Sequence, residues 1–338
     1  MGRILVTGFE PFGGSEVNVS KDVVDLLPSS LVLDDPWAEI RSSPLNSKEV
    51  ELETCILSVD QKGSQTVSQR IQRGERWDAI LHVGVCGTCT VPRLEQVAAD
   101  LLDMRIPDNA GRQVKSSTLS GKGDLMSSAP ISIWMQNWDT DATSSVDAGS
   151  YLCNETLYRT LEVIAPVDTP CLFLHLPPEE KYSIEKSRFL LQQTLARLAF
   201  RPVLDVVGAL FIKDGKFLLA RRAPHEDHAG TWEFPGGKVE PGESLKTAIC
   251  REIEEEFGWK TVADAPIGTW HHELASFQIA LHVMPCSIEG LPPQFDYQKR
   301  WTSHDAIEWH TVESCEQLIF TGSDQLIVEA LISGDLLS

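Results

Sequence analysis

Short apolar runs alternate with helical patterns over roughly the first 200 residues of the chain. The runs with the length and composition of buried strands are RILVTG (3–8), AILHVGV (79–85) and PCLFLHLP (170–177). Helical periodicity follows at 148–164 and 183–200. Strands that alternate with helices predict an α/β domain with a twisted, mostly parallel sheet flanked by helices. Residues 107–147 are richer in Ser, Asp, Gly and Asn, so we expect loops there.

The pattern changes at about residue 201. Two apolar runs flank Asp214-Gly215, which predicts a β-hairpin. Strand-like runs follow at 277–285 and 306–312, and helices are expected at 244–257 and from about Ser323. Strands grouped together with helices outside them predict an α+β domain, a mixed sheet sandwiched by helices.

The length of 338 residues also suggests two domains, for which the pattern gives the bounds 1–200 and 203–338.

Composition limits the classes of partner. The formal net charge is −20, from 29 basic and 49 acidic side chains, which argues against polymeric nucleic acid and against an anionic membrane surface. No apolar run approaches the roughly 20 residues that span a bilayer. The first residues lack the long apolar core of a secretory signal, so we expect a cytoplasmic protein.

Eight cysteines are scattered along the chain without the spacing of a disulfide framework. Cys86 and Cys89 form the one close pair, CGTC. No second CxxC and no pair of histidines completes a four-ligand metal site. We therefore expect reduced thiols throughout, with Cys86 and Cys89 as buried or loop thiols.

A crowded run of glutamates ends the segment GGKVEPGESLKTAICREIEEEFGW (236–259). On a helix, Glu252, Glu255 and Glu256 stand at i, i+3 and i+4 and share one face, whereas Glu254 points elsewhere, toward solvent. Three converging carboxylates suit Mg²⁺ or Mn²⁺, which would offset their repulsion. The alternative is a solvated acidic face.

The spacing of this segment resembles the Nudix box, with Gly237, Glu243 and REIEEEFGW (251–259) at the defined positions. LLARRA and WEFPGGK, which precede the box, are similar to the MutT-type branch of Nudix hydrolases. The resemblance implies metal-dependent hydrolysis of a nucleoside triphosphate to a monophosphate and pyrophosphate. The nucleotide stays open between an oxidised purine (8-oxo-dGTP-like) and a pyrimidine.

The same resemblance assigns roles within the box. Glu252, Glu255, Glu256 and the carbonyl of Gly237 would hold the ion, and Glu255 would also be catalytic. Two further residues are structural: Arg251 would brace Glu243, whose carboxylate is favoured near the helix start.

Outside the box, Arg222 would meet a phosphate or the base, and Phe234 and Asp324 would contact the nucleobase. Ser303 departs from the family pattern, because many relatives have a glutamate there. His304 or Asp305 are the neighbours that could replace it.

The opening segment ILVTGFEPFGG (4–14) suggests a strand followed by a Gly-rich turn. It lacks GxGxxG, and its two phenylalanines, Phe9 and Phe12, suit a small apolar pocket better than a dinucleotide. Further along, Cys153 lies near the start of a predicted helix, where the dipole lowers a thiol pKa. His175 ends an apolar strand. Taken singly, such a Cys and such a His are more often structural.

Four stretches, ILVTGFEPFGG, 81–111, 147–158 and 172–179, resemble pyroglutamyl peptidase I (pyrrolidone-carboxylate peptidase). The resemblance implies a phosphorylase/hydrolase-like α/β fold and removal of N-terminal pyroglutamate without a metal. It makes Cys153 the nucleophile, His175 its base and Glu95 the residue that orients His175, which is the arrangement amide hydrolysis by a thiol needs.

In that family, Phe9 and Phe12 would sandwich the lactam ring. Two departures are NVS (18–20) for the usual Asn-Pro-Ser, and Cys89 where many bacterial relatives have an arginine.

Together the patterns predict a bifunctional hydrolase that acts on a pyroglutamyl peptide and on a small-molecule nucleotide, with Mg²⁺ or Mn²⁺ for the second activity alone. Two alternatives stay open. The peptidase-like domain is an inactive scaffold for the Nudix enzyme, or the Nudix domain is a nucleotide sensor that regulates the peptidase. The peptidase resemblance also allows a homo-oligomer.

Overall fold

The computed structural model describes residues 2–164, 169–274, 276–288, 303–320, 322 and 324–333. The chain divides into two compact units, Met1–Ala38 with Pro44–Arg201, and Glu39–Ser43 with Pro202–Ser338. Over the part of the chain described, every helix is too short or too polar to cross a membrane.

The first unit combines a central sheet with surrounding helices. Its strands are β1 Gly2–Phe9, β2 Ser30–Leu33, β3 Lys48–Leu57, β4 Ala79–Val85, β5 Arg93–Glu95, β6 Val97–Ala98, β7 Leu125–Met126, β8 Thr143–Ser145 and β9 Cys171–Leu176. Its helices are α1 Val19–Asp25, α2 Gln61–Gln72, α3 Ile131–Trp134 (followed by a 3₁₀ turn, Met135–Asn137), α4 Leu152–Ile164 and α5 Ile184–Ala199.

The main sheet of this unit is mixed, in the order β2-β3-β1-β4-β9-β5-β8. Strands β3, β1, β4 and β9 are mutually parallel, β2 and β5 run antiparallel to their neighbours β3 and β9, and β8 is parallel to β5. The central strands are buried along almost their whole length, as expected for continuous apolar runs covered on both faces.

Two local expectations for this unit were wrong. Residues 107–147 are not all loop, since β7, α3, the 3₁₀ turn and β8 lie there. These elements are two to four residues long, too short for a detectable period. The helix expected from residue 148 begins at Leu152.

The second unit is built on an eight-stranded mixed sheet. Its strands are β10 Val203–Lys213, β11 Lys216–Arg222, β12 Trp232–Glu233, β13 Gly236–Lys238, β14 Thr261–Ala263, β15 Gly268–Glu273, β16 Gln278–Ile288 and β17 His304–His310. Its helices are α6 Leu245–Phe257, α7 Val312–Cys315 and α8 Asp324–Ser333. Ser323, where the last helix was expected to start, lies outside the described residues.

Alternate residues of the hairpin strands enter two separate cores in this unit. Val207 and Ala209 of β10 pack with Ile253 of α6. Leu210 of β10 packs instead with Ile327 of α8. Because side chains of a strand alternate between the two faces of a sheet, α6 and α8 lie on opposite faces. The box glutamates that α6 carries are therefore on one face of the sheet.

Side chains that cap helix starts set where several helices begin. Asp60 precedes α2 and accepts a hydrogen bond from the Gly63 amide at 2.8 Å. A Cβ at Gly63 would lie 1.8 Å from the carbonyl oxygen of Ser58, so the first turn of α2 has room only for glycine there. Ser244 caps α6 in the same way, through the amide of Thr247.

Replacing the cap of α2 tests this account. Asp60→Ala removes the acceptor for the Gly63 amide and should lower the stability of α2 by about 1 kcal/mol. Amide exchange in α2 should then be about fivefold faster. Hydrogen–deuterium exchange of peptides covering α2 measures it. Asp60→Asn keeps a capping oxygen and serves as the control. Equal exchange in the alanine and asparagine variants would contradict the capping role.

Candidate active sites

The first site lies where α4, β5 and β9 meet in the first unit. Cys153 is the second residue of α4, and His175 is the next-to-last residue of β9. Gly84 of β4 lies opposite His175 in the sheet. A Cβ at Gly84 would come within 3.2 Å of the Cys153 sulfur and 2.6 Å of the Phe173 ring, so this glycine leaves the space that the thiol occupies.

Glu95 and His175 form the central contact of this site. The Nδ1 of His175 lies 2.7 Å from Oε1 of Glu95, which is completely buried. Burial alone would lower the pKa of His175, but hydrogen bonds with Cys153 and Glu95 raise it to about 9. The raised pKa favours a protonated imidazole at neutral pH, held between the Cys153 sulfur and the Glu95 carboxylate. Such a trio can activate a sulfur nucleophile and then protonate a leaving group.

A pocket of about 700 Å³ opens beside these three residues. Phe12 lines it and stacks on Tyr151, with ring centroids 6.1 Å apart. Phe9 does not line the pocket; it is 3% exposed and packs against Phe173 in the core. The aromatic wall is therefore Phe12 with Tyr151. The sequence motifs did not predict a role for Tyr151, although it stands two residues before Cys153.

Cys86 and Cys89 are joined by a disulfide in this structure. The expectation of two thiols was wrong because a turn brings them together. The Cys89 amide donates to the Cys86 carbonyl at 3.2 Å, and their Cα atoms lie 5.4 Å apart, within the range that a disulfide spans. Cys86 also lines the pocket, so the disulfide lies at its edge.

The second site surrounds the C-terminal half of α6, together with Glu243 just before the start of that helix. Both guanidinium edges of Arg251 are engaged: Nε and Nη2 donate to the carboxylate of Glu243 at 2.9 and 3.0 Å. Nη1 donates to Glu252 at 2.9 Å and to Glu255 at 3.2 Å. The Glu255 side chain is 62% exposed, and Glu254 is also exposed. Arg251 thus neutralises part of the acidic face.

The residues of this site suit a divalent cation. Oε2 of Glu256 is buried and has no hydrogen-bond partner in the part of the chain that the structure describes. Burial raises the pKa of Glu256 to about 7 and also raises the pKa of Glu252, so both carboxylates favour a nearby positive charge. A Cβ at Gly237 would lie 2.4 Å from the Glu252 carboxyl carbon, so the backbone approaches that carboxylate closely.

No group of three or more His, Cys, Asp or Glu side chains is arranged to hold a metal within the described ranges. Glu255 lies against Arg251 instead, at the edge of the cluster. The full ligand set of Gly237, Glu252, Glu255 and Glu256 therefore stays a prediction.

His304 lies beside the box glutamates. It directly follows Ser303, the position at which the family resemblance expects an extra glutamate. Its Nε2 is 2.8 Å from Oε1 of Glu233, and its Nδ1 is 3.8 Å from Oε1 of Glu256. Asp305 turns away and pairs with Arg221 at 2.8 Å. Of the two neighbours of Ser303, His304 is the one that faces the box glutamates.

A pocket of about 510 Å³ adjoins α6 and is lined by Arg222, Phe234 and Asp324, among others. Arg222 contacts both carboxylate oxygens of Glu233 at 3.0 Å. Oδ1 of Asp324 accepts from the Phe234 amide at 2.9 Å, and the Phe234 ring stacks on Phe217. All three predicted nucleotide contacts border one pocket, but each already has a protein partner, so their roles stay predictions.

Comparisons with known proteins match the two halves of the chain separately. A family model described as pyroglutamyl peptidase matches residues 2–189, and one described as NUDIX domain matches residues 202–328. Pyrrolidone-carboxylate peptidase 1 of Streptococcus pneumoniae serotype 4 is 34% identical over 182 residues, covering 52% of this chain and 78% of that protein.

The CTP pyrophosphohydrolase of Escherichia coli K12 is 34% identical over 131 residues, covering 39% of this chain and 93% of that protein. The crystal structure of pyrrolidone carboxyl peptidase from Thermus thermophilus superposes with a TM-score of 0.47 at 32% identity, over 57% of this chain and 99% of that one.

The charge on His175 should depend on Glu95. Glu95→Gln removes the negative charge at 2.7 Å, so the pKa of His175 should fall from about 9. A neighbouring opposite charge shifts a pKa by about 1–3 pH units. NMR titration of ¹⁵N-labelled histidine measures this.

His82 is the internal control for this titration. Burial lowers its pKa to about 3, and it contacts Thr7 and Thr160 rather than a carboxylate, so its neutral state should persist in the variant. An unchanged His175 pKa in Glu95→Gln would show that Glu95 does not hold the proton there.

Proposed function

The chain belongs to the pyroglutamyl peptidase family through residues 2–189 and to the Nudix family through residues 202–328, and we propose that it is a bifunctional hydrolase with one active site in each part. Both families are hydrolases. The first activity is removal of an N-terminal pyroglutamate, and the second is metal-dependent cleavage of a nucleoside triphosphate. We keep 1–200 and 203–338 as the functional division.

The peptidase proposal is carried by the contact of Glu95 with a charged His175 beside Cys153. The Cys153 thiolate attacks the carbonyl that links pyroglutamate to the next residue. His175 gives its proton to the leaving amine, and a thioester to Cys153 remains. His175 then takes a proton from water, which attacks the thioester and frees pyroglutamate. Glu95 orients the imidazole and stabilises its charge.

The lactam ring needs a flat apolar wall. Phe12 and Tyr151 supply one at the pocket, with Phe9 beneath it in the core. We propose that the ring packs against Phe12, as the family resemblance suggests, and that Phe9 acts by supporting that wall.

In the Nudix part, the residues that would hold Mg²⁺ or Mn²⁺ are Glu252, Glu255, Glu256 and the Gly237 carbonyl. A divalent ion bound there would screen phosphate charge and supply an activated water. The protein's own contribution is to fix the carboxylates. Arg251 braces Glu243 and holds Glu252, and Oε2 of Glu256, which has no hydrogen-bond partner among the described residues, offers a ligand.

For the nucleotide we propose a pyrimidine nucleoside triphosphate of the CTP type, cleaved to the monophosphate and pyrophosphate. The support is the 34% identity to a CTP pyrophosphohydrolase, of which this chain covers 93%. An oxidised purine triphosphate is the alternative that a substrate panel would separate from it.

Two substitutions should separate the activities. Cys153→Ala should abolish release of p-nitroaniline from pyroglutamyl-p-nitroanilide and leave pyrophosphate release from CTP unchanged. Glu256→Gln should do the reverse, with nucleotide hydrolysis in Mg²⁺ reduced at least about tenfold, as for loss of a supporting metal ligand.

Glu254→Gln is the matched control for the nucleotide activity, because it makes the same chemical change on the exposed side of the same helix. Its activity should equal that of the wild type. A wild-type chain that releases no p-nitroaniline would contradict the peptidase assignment and favour a scaffold. One that cleaves no nucleotide with either metal would favour a sensor.

A further inference from the structure

Two arginines line the peptidase pocket and have no partner among the residues that the structure describes. Arg93 and Arg105 both border it beside Cys153 and His175. Across the described residues, neither guanidinium makes an ion pair or a hydrogen bond. This is unusual in a chain with 49 acidic and 29 basic side chains, where a carboxylate is readily available.

The position of Arg93 is set by the sheet. It lies directly opposite His175 in the antiparallel pairing of β5 with β9. Directly opposite residues share a face of the sheet, with Cβ atoms about 4.5–5.5 Å apart. Glu95, two residues further on, lies on that face too. Its carboxylate is within hydrogen-bond distance of His175 and makes no ion pair with Arg93. The Arg93 side chain therefore borders the open pocket rather than joining the buried contact.

The acidic side chains of the same pocket are engaged elsewhere. Asp147 accepts a hydrogen bond from the Gly149 amide at 2.9 Å. Asp103 accepts one from the Ser116 amide at 3.4 Å. The first is a turn contact and the second joins residues 13 apart, and neither aspartate pairs with Arg93 or Arg105 within the described residues, so the guanidiniums stay available to a bound molecule.

The chemistry of the reaction decides which part of a substrate Arg93 meets. His175 donates its proton to the leaving amine, so it stands on the leaving-group side of the scissile bond. Arg93 is its neighbour across the strands and lies on the same side. The leaving group begins with the residue that follows pyroglutamate. A guanidinium fork matches a carboxylate better than any other group of a peptide.

We propose that Arg93 forms a subsite for a carboxylate on the residue that follows pyroglutamate, and so selects acidic substrates. The carboxylate is either an Asp or Glu side chain or the free α-carboxylate of a dipeptide. The inference rests on the proposed peptidase activity and adds its substrate class.

Matched dipeptides test the subsite. Pyroglutamyl-Glu-amide carries only a side-chain carboxylate, and pyroglutamyl-Gln carries only a free α-carboxylate. Pyroglutamyl-Gln-amide has no carboxylate and is the neutral reference. The wild type should cleave at least one acidic dipeptide with a kcat/KM about tenfold above that of the neutral one, as expected for a charge-assisted hydrogen bond. The preferred acid identifies the source of the carboxylate.

Variants then show whether Arg93 causes the preference. In Arg93→Gln the acidic-to-neutral ratio should fall to about one, whereas Arg93→Lys should keep part of it because the charge remains. Arg188→Gln removes the same charge from an exposed position of α5 outside the pocket and should keep the full ratio. A wild-type ratio of one or less, or a ratio unchanged in Arg93→Gln, overturns the subsite.

Binding separates failure of the subsite from failure of the peptidase proposal. Calorimetric titration of Cys153→Ala with the same dipeptides needs no turnover. Tighter binding of an acidic dipeptide that Arg93→Gln abolishes supports the subsite, even where the wild type cleaves nothing. Equal affinity for acidic and neutral dipeptides, or no binding at all, overturns it.

Discussion

A carboxylate that is taken out of water needs a compensating positive charge, and this constraint organises both sites of the chain. In the first unit Glu95 is completely buried, and His175 is its partner at 2.7 Å. The contact requires β5 to pair with β9 in one register, and α4 to place Cys153 near its first turn. A slip of one residue would turn either side chain to the other face of the sheet.

The second unit meets the same constraint incompletely. Arg251 contacts Glu243, Glu252 and Glu255, so one cation serves three carboxylates. Among the described residues, Glu256 has His304 at 3.8 Å from one carboxylate oxygen, and its other oxygen is buried without a hydrogen-bond partner. Burial raises the pKa of Glu256 to about 7, because a carboxylate out of water without a close cation is disfavoured in its charged form. In the first site a protein side chain thus compensates the buried carboxylate, whereas in the second a bound divalent cation would supply the missing positive charge.

Sequence patterns identified both families because each depends on contiguous motifs. Helical spacing also separated the exposed Glu254 from the half-buried Glu252 and Glu256. What the patterns missed depends on tertiary contacts. Tyr151 faces Phe12, from which it is distant in sequence, and Arg93 acquires its position only through the pairing of two short strands. The Cys86–Cys89 disulfide follows from a turn whose geometry a CxxC spacing allows but does not require.

The two departures from family pattern take on physical meaning in this setting. At Ser303 the usual carboxylate is absent, and the next residue, His304, bridges Glu233 and Glu256. At Cys89 the usual arginine is absent, and the residue forms a disulfide at the edge of the pocket. A cation four residues later, Arg93, borders that same pocket. At Ser303 a histidine faces the box glutamates in place of a carboxylate, and at Cys89 another arginine of the chain borders the same pocket. The contact of Glu95 with His175 and the contacts of Arg251 with three glutamates are made despite both departures.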